Sequence, residues 1–130
     1  DATLNPGGIR MGTAELYRIV ESIKDIVECI AVEQKHNNDN RVVLFLKLID
    51  GKKLNDKLVD LIKNKIKILL SPKHIPSKFL QVSDIPKTKN GKIVEITIKK
   101  ILNKENITNL NSIANPECLK NYRDRKELID

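Results

Sequence analysis

Apolar residues recur every three or four positions in two parts of the chain, which is the spacing of a helix that packs along one face. We predict a first helix that begins at Thr13, whose hydroxyl can cap it, and a second that begins at Asn55 or Asp56 and ends before Pro72. The apolar face of the first helix is formed by Leu16, Ile19, Val20 and Ile23. That of the second is formed by Leu54, Leu58, Leu61, Ile62, Ile66 and Leu69. Each helix has one face with which to cover a sheet.

Shorter apolar runs predict the strands of that sheet. Residues 26–32 and 42–46 form two such runs, and the second is continuous, as in a strand that is covered on both sides. The polar, Asn-rich residues 34–40 between them predict a hairpin loop. A third, short strand is expected at 79–82. A strand or a helix follows from Ile93, and we favour a third helix at 96–102.

The remaining sequence is polar and irregular from residue 103 onward, forming a C-terminal extension at 103–130. Within it, Pro116 follows Asn115 and is suited to the first position of a last short helix. The order helix, strand, strand, helix, strand, helix predicts an α+β fold, in which a small, mostly antiparallel sheet is flanked by helices. We expect a single domain over residues 1–130.

Composition restricts the core and the class of protein. Hydrophobic residues make up 40% of the chain but aromatic residues only 3%, so the core must be built from Ile, Leu and Val. The charged fraction of 32% and the absence of a Gly-, Ser- or Pro-rich tract argue against wholesale disorder. No apolar run reaches the length of a membrane span. Cys29 and Cys118 lack the spacing of metal ligands. We predict no metal site, a buried thiol at Cys29 and a reducing compartment, the cytoplasm.

The net charge of +7 suggests a polyanionic partner. The positive charge is mostly Lys and is spread along every segment, and aromatic residues for base stacking are few, which argues against nucleic acid. A basic surface also suits a small polyanion such as a nucleotide. A basic module that binds nucleic acid or an acidic protein stays open as the alternative to an enzyme, and DNA binding that weakens steeply with salt would favour it.

The loop at residues 86–92 is the strongest candidate for chemistry. Lys87, Lys89 and Lys92 concentrate positive charge there, and Asn90-Gly91 permits a tight turn because both residues tolerate positive φ. A lysine at such a tip can contact a carboxylate or a phosphate as a point charge. The same residues also suit an ordinary solvated hairpin tip, and the spacing alone leaves both interpretations open.

Two other features are ambiguous in the same way. Gly7-Gly8 permits close approach of a ligand to the backbone, or simply makes a turn. Arg10 can bind a phosphate through two hydrogen bonds, or form a surface ion pair with Glu15. His36 and His74 have no partner at a spacing that suggests a relay or a metal site, so we expect them to be solvated or locally hydrogen-bonded.

Taken together, these segments resemble the C-terminal domain of the adenylate-forming enzymes, the superfamily of acyl-CoA synthetases, peptide-synthetase adenylation domains and luciferases. The loop at 86–92 is similar to that family's Pro-x-Thr-x-Ser/Asn-Gly-Lys motif, and the opening residues through 7–15 are similar to its hinge and first C-domain loop. Residues 1–8, 42–47 and 70–76, with Asn115-Pro116-Glu117, resemble the acetoacetyl-CoA synthetase branch. Ile93 also occurs in acetyl- and propionyl-type relatives, which keeps a short-chain synthetase of that type as an alternative.

The resemblance implies a two-step reaction. The carboxylate of acetoacetate attacks the α-phosphate of ATP, giving an acyl-adenylate and pyrophosphate, and the CoA thiol then displaces AMP. Mg²⁺ would accompany ATP without being bound by this domain. The partner domain would be the protein's own large N-terminal adenylation domain, which carries the acyl pocket and most ATP contacts, so the isolated chain would be inactive.

The resemblance also assigns roles to five residues. Lys92 matches the catalytic lysine that contacts the acyl carboxylate and phosphate oxygens, and Arg10 matches the arginine near the nucleotide phosphate. Gly8 matches the glycine that lines the pantetheine channel, and Lys67 falls where some relatives contact a CoA phosphate. Asp1 matches the hinge about which the small domain swings between the two half-reactions, so residues 1–11 would form the hinge and first loop.

The start of the chain fits this assignment. Its sole methionine is Met11, no initiator residue precedes Asp1, and no apolar signal segment is visible, so we expect an upstream domain. A family-like domain that only regulates or scaffolds is a third hypothesis, against which the presence of Lys92, Gly8 and Arg10 argues.

Overall fold

The structure, a computed structural model, describes residues 3–6, 10–108 and 110–129. Its strands are β1 (Thr3–Leu4), β2 (Met11–Gly12), β3 (Ile26–His36), β4 (Asp39–Leu48) and β5 (Lys78–Gln81). Its helices are α1 (Thr13–Glu21), α2 (Asp56–Leu69) and α3 (Glu95–Leu102). Short 3₁₀ turns lie at Pro72–His74, Leu110–Ser112, Pro116–Tyr122 and Lys126–Leu128. The predicted order of the main elements, and with it the α+β class, is confirmed.

The main sheet has the strand order β3-β4-β5, and β1 and β2 form a separate antiparallel pair. β3 and β4 are antiparallel, whereas β5 runs parallel to β4 after a crossover that contains α2. The sheet is therefore mixed. The predicted hairpin loop at 34–40 was too long, because only Asn37 and Asn38, both with positive φ, form the turn, and the polar residues on either side are paired in the ladder.

Alternate residues of the sheet are buried against different layers. One face packs against α1 and α2 in what we name the first core; its sheet residues include Cys29, Ala31, Val42, Leu44 and Leu46. The other face packs against α3 and the C-terminal 3₁₀ turns in the second core; its sheet residues include Ile30, Val32, Val43 and Phe45. β4 is covered on both sides, as its continuous apolar run predicted, and the thiol of Cys29 is buried as expected.

The beginnings of the first two helices agree with the sequence to within one residue. α1 begins at Thr13 itself, so Gly12 and not Thr13 occupies the cap position. α2 is capped by Asn55, whose side-chain oxygen accepts a hydrogen bond from the Leu58 N–H at 2.8 Å. α3 and β5 lie within one residue of their predicted positions.

The buried stripe of α2 is narrower than its apolar pattern predicted. Ile62 and Ile66 are fully buried, whereas Leu61 and Leu69 are 52% and 56% exposed. The prediction was wrong for these two leucines because only the stripe through Ile62 and Ile66 meets the first core.

The C-terminal extension packs onto the second core. A turn begins at Pro116, as predicted, but it is a 3₁₀ helix and not an α-helix. It buries Cys118, Leu119 and Tyr122, and Leu128 follows from the next turn. Within the described ranges, no helix is long and apolar enough to cross a membrane.

Candidate functional site

The loop that carries Lys92 is a tight turn closed from both sides. The Gly91 N–H donates to the Thr88 carbonyl at 2.9 Å, and the Thr88 N–H donates to the Lys92 carbonyl at 2.8 Å. The Thr88 hydroxyl accepts the Lys92 N–H at 3.1 Å. Thr88 therefore fixes the backbone of Lys92 with both its main chain and its side chain. The sequence analysis included Thr88 in the motif but gave it no role.

Gly91 is needed for its backbone conformation and not for lack of space. Its φ is +84°, and an added Cβ would meet nothing within 4 Å. Asn90, which also tolerates positive φ, does not adopt it. The turn thus depends on one left-handed residue, placed directly before Lys92.

The positive charge of the loop is less concentrated than its three lysines suggested. The Nζ of Lys87 lies 2.6 Å from the Glu28 carboxylate of β3, so this lysine is paired. Lys89 and Lys92 are exposed and form no ion pair with another described residue. Of the three lysines, Lys92 is the one that directly follows the left-handed turn residue, Gly91.

The chain leaves the loop directly into α3, which anchors it to the fold. Ile93 pairs with Lys87 as an isolated antiparallel bridge, and the Val94 N–H donates to the Pro86 carbonyl at 3.1 Å. Both Ile93 and Val94 pack against the second core. The loop is therefore a protrusion on the α3 side of the sheet.

The first turn of α3 is joined to α1 through Tyr17, which is partly buried. The Tyr17 hydroxyl donates to the Glu95 carboxylate and accepts the Ala31 N–H at 2.9 Å. Burial, together with the neighbouring Glu95 carboxylate, raises the pKa of Tyr17 far above its usual range. Tyr17 is neutral at ordinary pH and serves to hold Glu95, not to exchange protons.

The C-terminal extension lies against the base of the loop. Thr88 and Ile113 form an antiparallel bridge, and the Ala114 N–H donates to the Lys87 carbonyl at 2.8 Å. Asn115 contacts the same stretch through its side chain. Sequence reasoning missed these contacts because their partners are separated by more than twenty residues along the chain and no local pattern joins them.

Arg10 and Lys67 occupy other parts of the molecule. Arg10 is exposed immediately before β2, and the suggested ion pair with Glu15 is not formed, since Glu15 pairs with Arg18 instead. Lys67 is exposed near the end of α2, the helix of the first core, and so lies on the opposite side of the sheet from the Lys92 loop. Asp1 and the Gly7-Gly8 turn lie outside the described residues.

The remaining candidates for chemistry are held in ordinary structural contacts. His74 shares a hydrogen bond of 2.6 Å with the Ser71 hydroxyl, and His36 one of 3.1 Å with the Asn37 side chain, so both are locally bonded as predicted. Burial raises the pKa of the Cys118 thiol to about 11 and that of Cys29 further still. The described ranges contain no group of three or more His, Cys, Asp or Glu side chains that could hold a metal ion.

No protein-family model matches the chain. Among curated proteins, it is 44% identical over 128 residues to an acetoacetyl-coenzyme A synthetase of Rhizobium meliloti, a match that covers 98% of this chain and 20% of the relative. It is 40% identical over 131 residues to the acetoacetyl-CoA synthetase of Mus musculus, covering 100% of this chain and 20% of that protein. The chain spans about a fifth of the length of the curated relatives it matches.

Solved structures give a consistent result. The acetoacetyl-CoA synthetase from Streptomyces lividans superposes with a TM-score of 0.83 at 34% identity, over 95% of this chain and 19% of that one. The anthranilate CoA ligase AuaEII superposes with a TM-score of 0.72 at 18% identity, over 78% of this chain and 20% of that one, which shows a shared fold. The match to the Streptomyces protein extends over more of the chain.

Proposed function

Because the chain belongs to the adenylate-forming acyl-CoA synthetases and corresponds to their C-terminal domain, we propose that it is the mobile lid of a ligase that joins acetoacetate to CoA. In the first half-reaction the acetoacetate carboxylate attacks the α-phosphate of ATP and expels pyrophosphate. In the second, the CoA thiolate attacks the acyl-adenylate and expels AMP. The observation that carries the proposal is an exposed Lys92 on a backbone that Thr88 and Gly91 hold in one conformation.

Lys92 is proposed as the catalytic residue of the first half-reaction. The attacking carboxylate and the α-phosphate are both anionic, and the transition state brings their charges together. An ammonium group placed there in advance stabilises that state more than the separated reactants. The neutralising charge is no longer needed once the adenylate has formed, so the second half-reaction depends on Lys92 much less.

The other proposed residues divide between the two half-reactions. Arg10 would contact a nucleotide phosphate, while Gly8 would line the pantetheine channel and Lys67 would contact a CoA phosphate. The separation of Lys67 from the Lys92 loop by the sheet supports a lid that presents different sides in turn, rotating about Asp1. Mg²⁺ would enter with ATP and would not be bound by this domain. The free thiols of Cys29 and Cys118 suit a cytoplasmic enzyme.

We favour acetoacetate over acetate or propionate as the substrate because of the sequence match. The Rhizobium and mouse relatives, whose matches cover 98% and 100% of the chain, are named for acetoacetate. The more distant ligase AuaEII covers a smaller share of the chain than the Streptomyces acetoacetyl-CoA synthetase does. Ile93, which acetyl- and propionyl-type relatives share, does not separate the two classes.

The substrate assignment is tested on the full-length protein that contains this chain. Pyrophosphate release without CoA and AMP release with CoA are measured with acetoacetate, acetate and propionate at saturating ATP and Mg²⁺. We expect the highest kcat/KM with acetoacetate. Preference for acetate or propionate would establish the short-chain alternative. Absence of AMP with every acid, combined with DNA binding that falls steeply with salt, would overturn the ligase assignment in favour of a binding module.

A further inference from the structure

The side-chain amide of Asn115 forms three hydrogen bonds with residues 84–87, the segment that leads into the Lys92 loop. Its Nδ2 donates to the Asp84 carboxylate at 2.9 Å and to the Ile85 carbonyl at 2.8 Å. Its Oδ1 accepts the Lys87 N–H at 2.9 Å. Both amide hydrogens and the amide oxygen are therefore used within four consecutive residues.

These bonds do not belong to the local structure around Asn115. Asn115 precedes the 3₁₀ turn Pro116–Tyr122, yet its side chain makes no capping hydrogen bond there. The turn is closed instead by the main chain, since the Cys118 N–H donates to the Asn115 carbonyl at 3.2 Å. Replacing the side chain removes the contacts to residues 84–87 and leaves the turn's own hydrogen bond in place.

We name Asn115 and its three side-chain hydrogen bonds to residues 84–87 the clamp. Asp84 connects the clamp to the second core. Its carboxylate also accepts from Lys47 Nζ at 3.1 Å, and its carbonyl accepts the Tyr122 hydroxyl at 2.6 Å. Tyr122 is 1% exposed and packs edge-on against Phe45, with ring centroids 4.7 Å apart. Partial burial alone would raise the pKa of Asp84, but the hydrogen bonds from Asn115, Lys47 and the Ile85 N–H outweigh it and hold that pKa below its usual value. The Asp84 carboxylate that accepts from Asn115 is therefore ionised. Lys47 of β4 binds the same carboxylate, and Tyr122 of the second core binds the Asp84 carbonyl.

We propose that Asn115 is a positioning residue for Lys92, an inference that rests on the proposed role of Lys92 in adenylation. Asn115 holds the Lys87 N–H, Ala114 holds the Lys87 carbonyl, and the next residue, Thr88, holds both the N–H and the carbonyl of Lys92. A displacement of Lys87 at the base of the loop would therefore displace Thr88 and, through the two hydrogen bonds of Thr88, the backbone of Lys92. Catalysis by a positioned charge is sensitive to displacements on the order of 1 Å, which cost about 100-fold in rate.

The test uses Asn115→Ala in the full-length enzyme, with Asn121→Ala as the matched control. Asn121 lies in the same extension and donates to the Ser83 hydroxyl at 2.6 Å, next to the clamp but not to the loop. We expect Asn115→Ala to slow pyrophosphate release by about 10- to 100-fold, mainly in kcat. Thioester formation from supplied acyl-adenylate should change less than about threefold in the same preparation, because the enzyme is otherwise intact. Asn121→Ala should leave both rates near those of the unmodified enzyme.

A merely structural role predicts a different pattern, in which both half-reactions slow together in proportion to lost folded protein. Equal slowing of both, or an unchanged adenylation rate, would overturn the inference. If Asn115→Ala does not fold, Tyr122→Phe removes only the hydroxyl that holds the Asp84 carbonyl and should give the same split in weaker form.

Lys92→Ala, Asn115→Ala and the double variant together separate failure of this inference from failure of the proposed function. If Lys92→Ala alone leaves adenylation intact, the proposed role of Lys92 fails. If Lys92→Ala abolishes adenylation but Asn115→Ala does not affect it, only the positioning role fails. If Asn115 acts through Lys92, Asn115→Ala should have no further effect on residual adenylation once Lys92 is replaced.

Discussion

At the scale of single residues, the Lys92 loop depends on backbone conformation more than on side-chain packing. Thr88 supplies both hydrogen bonds that hold the Lys92 backbone, and Gly91 supplies the left-handed turn between them. The motif was visible in the sequence, because Asn-Gly before Lys is a turn signal with a physical basis. Which lysine is already paired depended on Glu28, a distant partner that the motif does not contain.

Gly91→Ala should lower the free energy of unfolding by about 1 kcal/mol, because alanine is strained at φ +84° while its methyl group meets open space. Gly51→Ala is the control, since Gly51 has φ +83° and equally open surroundings in the turn after β4. Denaturant unfolding should show similar losses for both. In the full-length enzyme only Gly91→Ala should slow adenylation, by about tenfold or more; equal slowing by Gly51→Ala would refute a local effect on Lys92.

The two cysteines should resist thiol reagents in the native chain. Burial, with added repulsion from Asp84 and Glu117, raises the pKa of Cys118 to about 11, and burial raises that of Cys29 as well. Both thiol pKa values in the folded chain lie above the value of about 8.5 in the unfolded chain. The stability that these neutral thiols contribute is therefore present below about pH 8.5 and is lost as the pH rises through the folded-state pKa. At pH 8 a chromogenic disulfide should label neither thiol rapidly, and both after denaturation. Rapid native labelling of either would contradict the buried placement.

At the scale of elements, the sequence predicted most helices and strands but not which of their residues contact other elements. Helical periodicity placed α2, and Asn55 caps it as expected, yet the pattern could not tell Leu61 from Ile62 as a core residue. The hairpin β3–β4 was underestimated because polar residues such as Gln34 and Arg41 pair in the ladder like any others. Asn115 was recognised as a helix start, but its role at the loop depended on partners brought close only by the fold.

The narrow contact stripe of α2 makes adjacent leucine and isoleucine positions unequal. Ile62→Ala should lower the free energy of unfolding by about 2–5 kcal/mol, because it opens a cavity in the first core. Leu61→Ala should change it by less than about 0.5 kcal/mol, since that side chain is half exposed. Thermal unfolding of the two variants compares them directly. Equal losses would mean that α2 packs through a different face.

At the scale of the whole molecule, the three-stranded sheet divides the chain into two sides. α2 with Lys67 lies on the side of the first core, and the Lys92 loop, α3 and the C-terminal extension lie on the side of the second. The proposed lid, which would take part in both half-reactions, would use one of these sides in each. The sheet joins the two sides through β4, which is buried on both faces.

The most direct test of the central claim compares Lys92→Ala with Lys89→Ala in the full-length enzyme. Lys89 is the matched control, an exposed lysine in the same turn. Pyrophosphate release from ATP and acetoacetate, and thioester formation from supplied acyl-adenylate and CoA, are measured separately. We predict that Lys92→Ala slows the first by about 100-fold or more and leaves the second largely intact, while Lys89→Ala affects neither. An adenylation rate for Lys92→Ala equal to that of Lys89→Ala would show that the loop is only structural and would contradict the account.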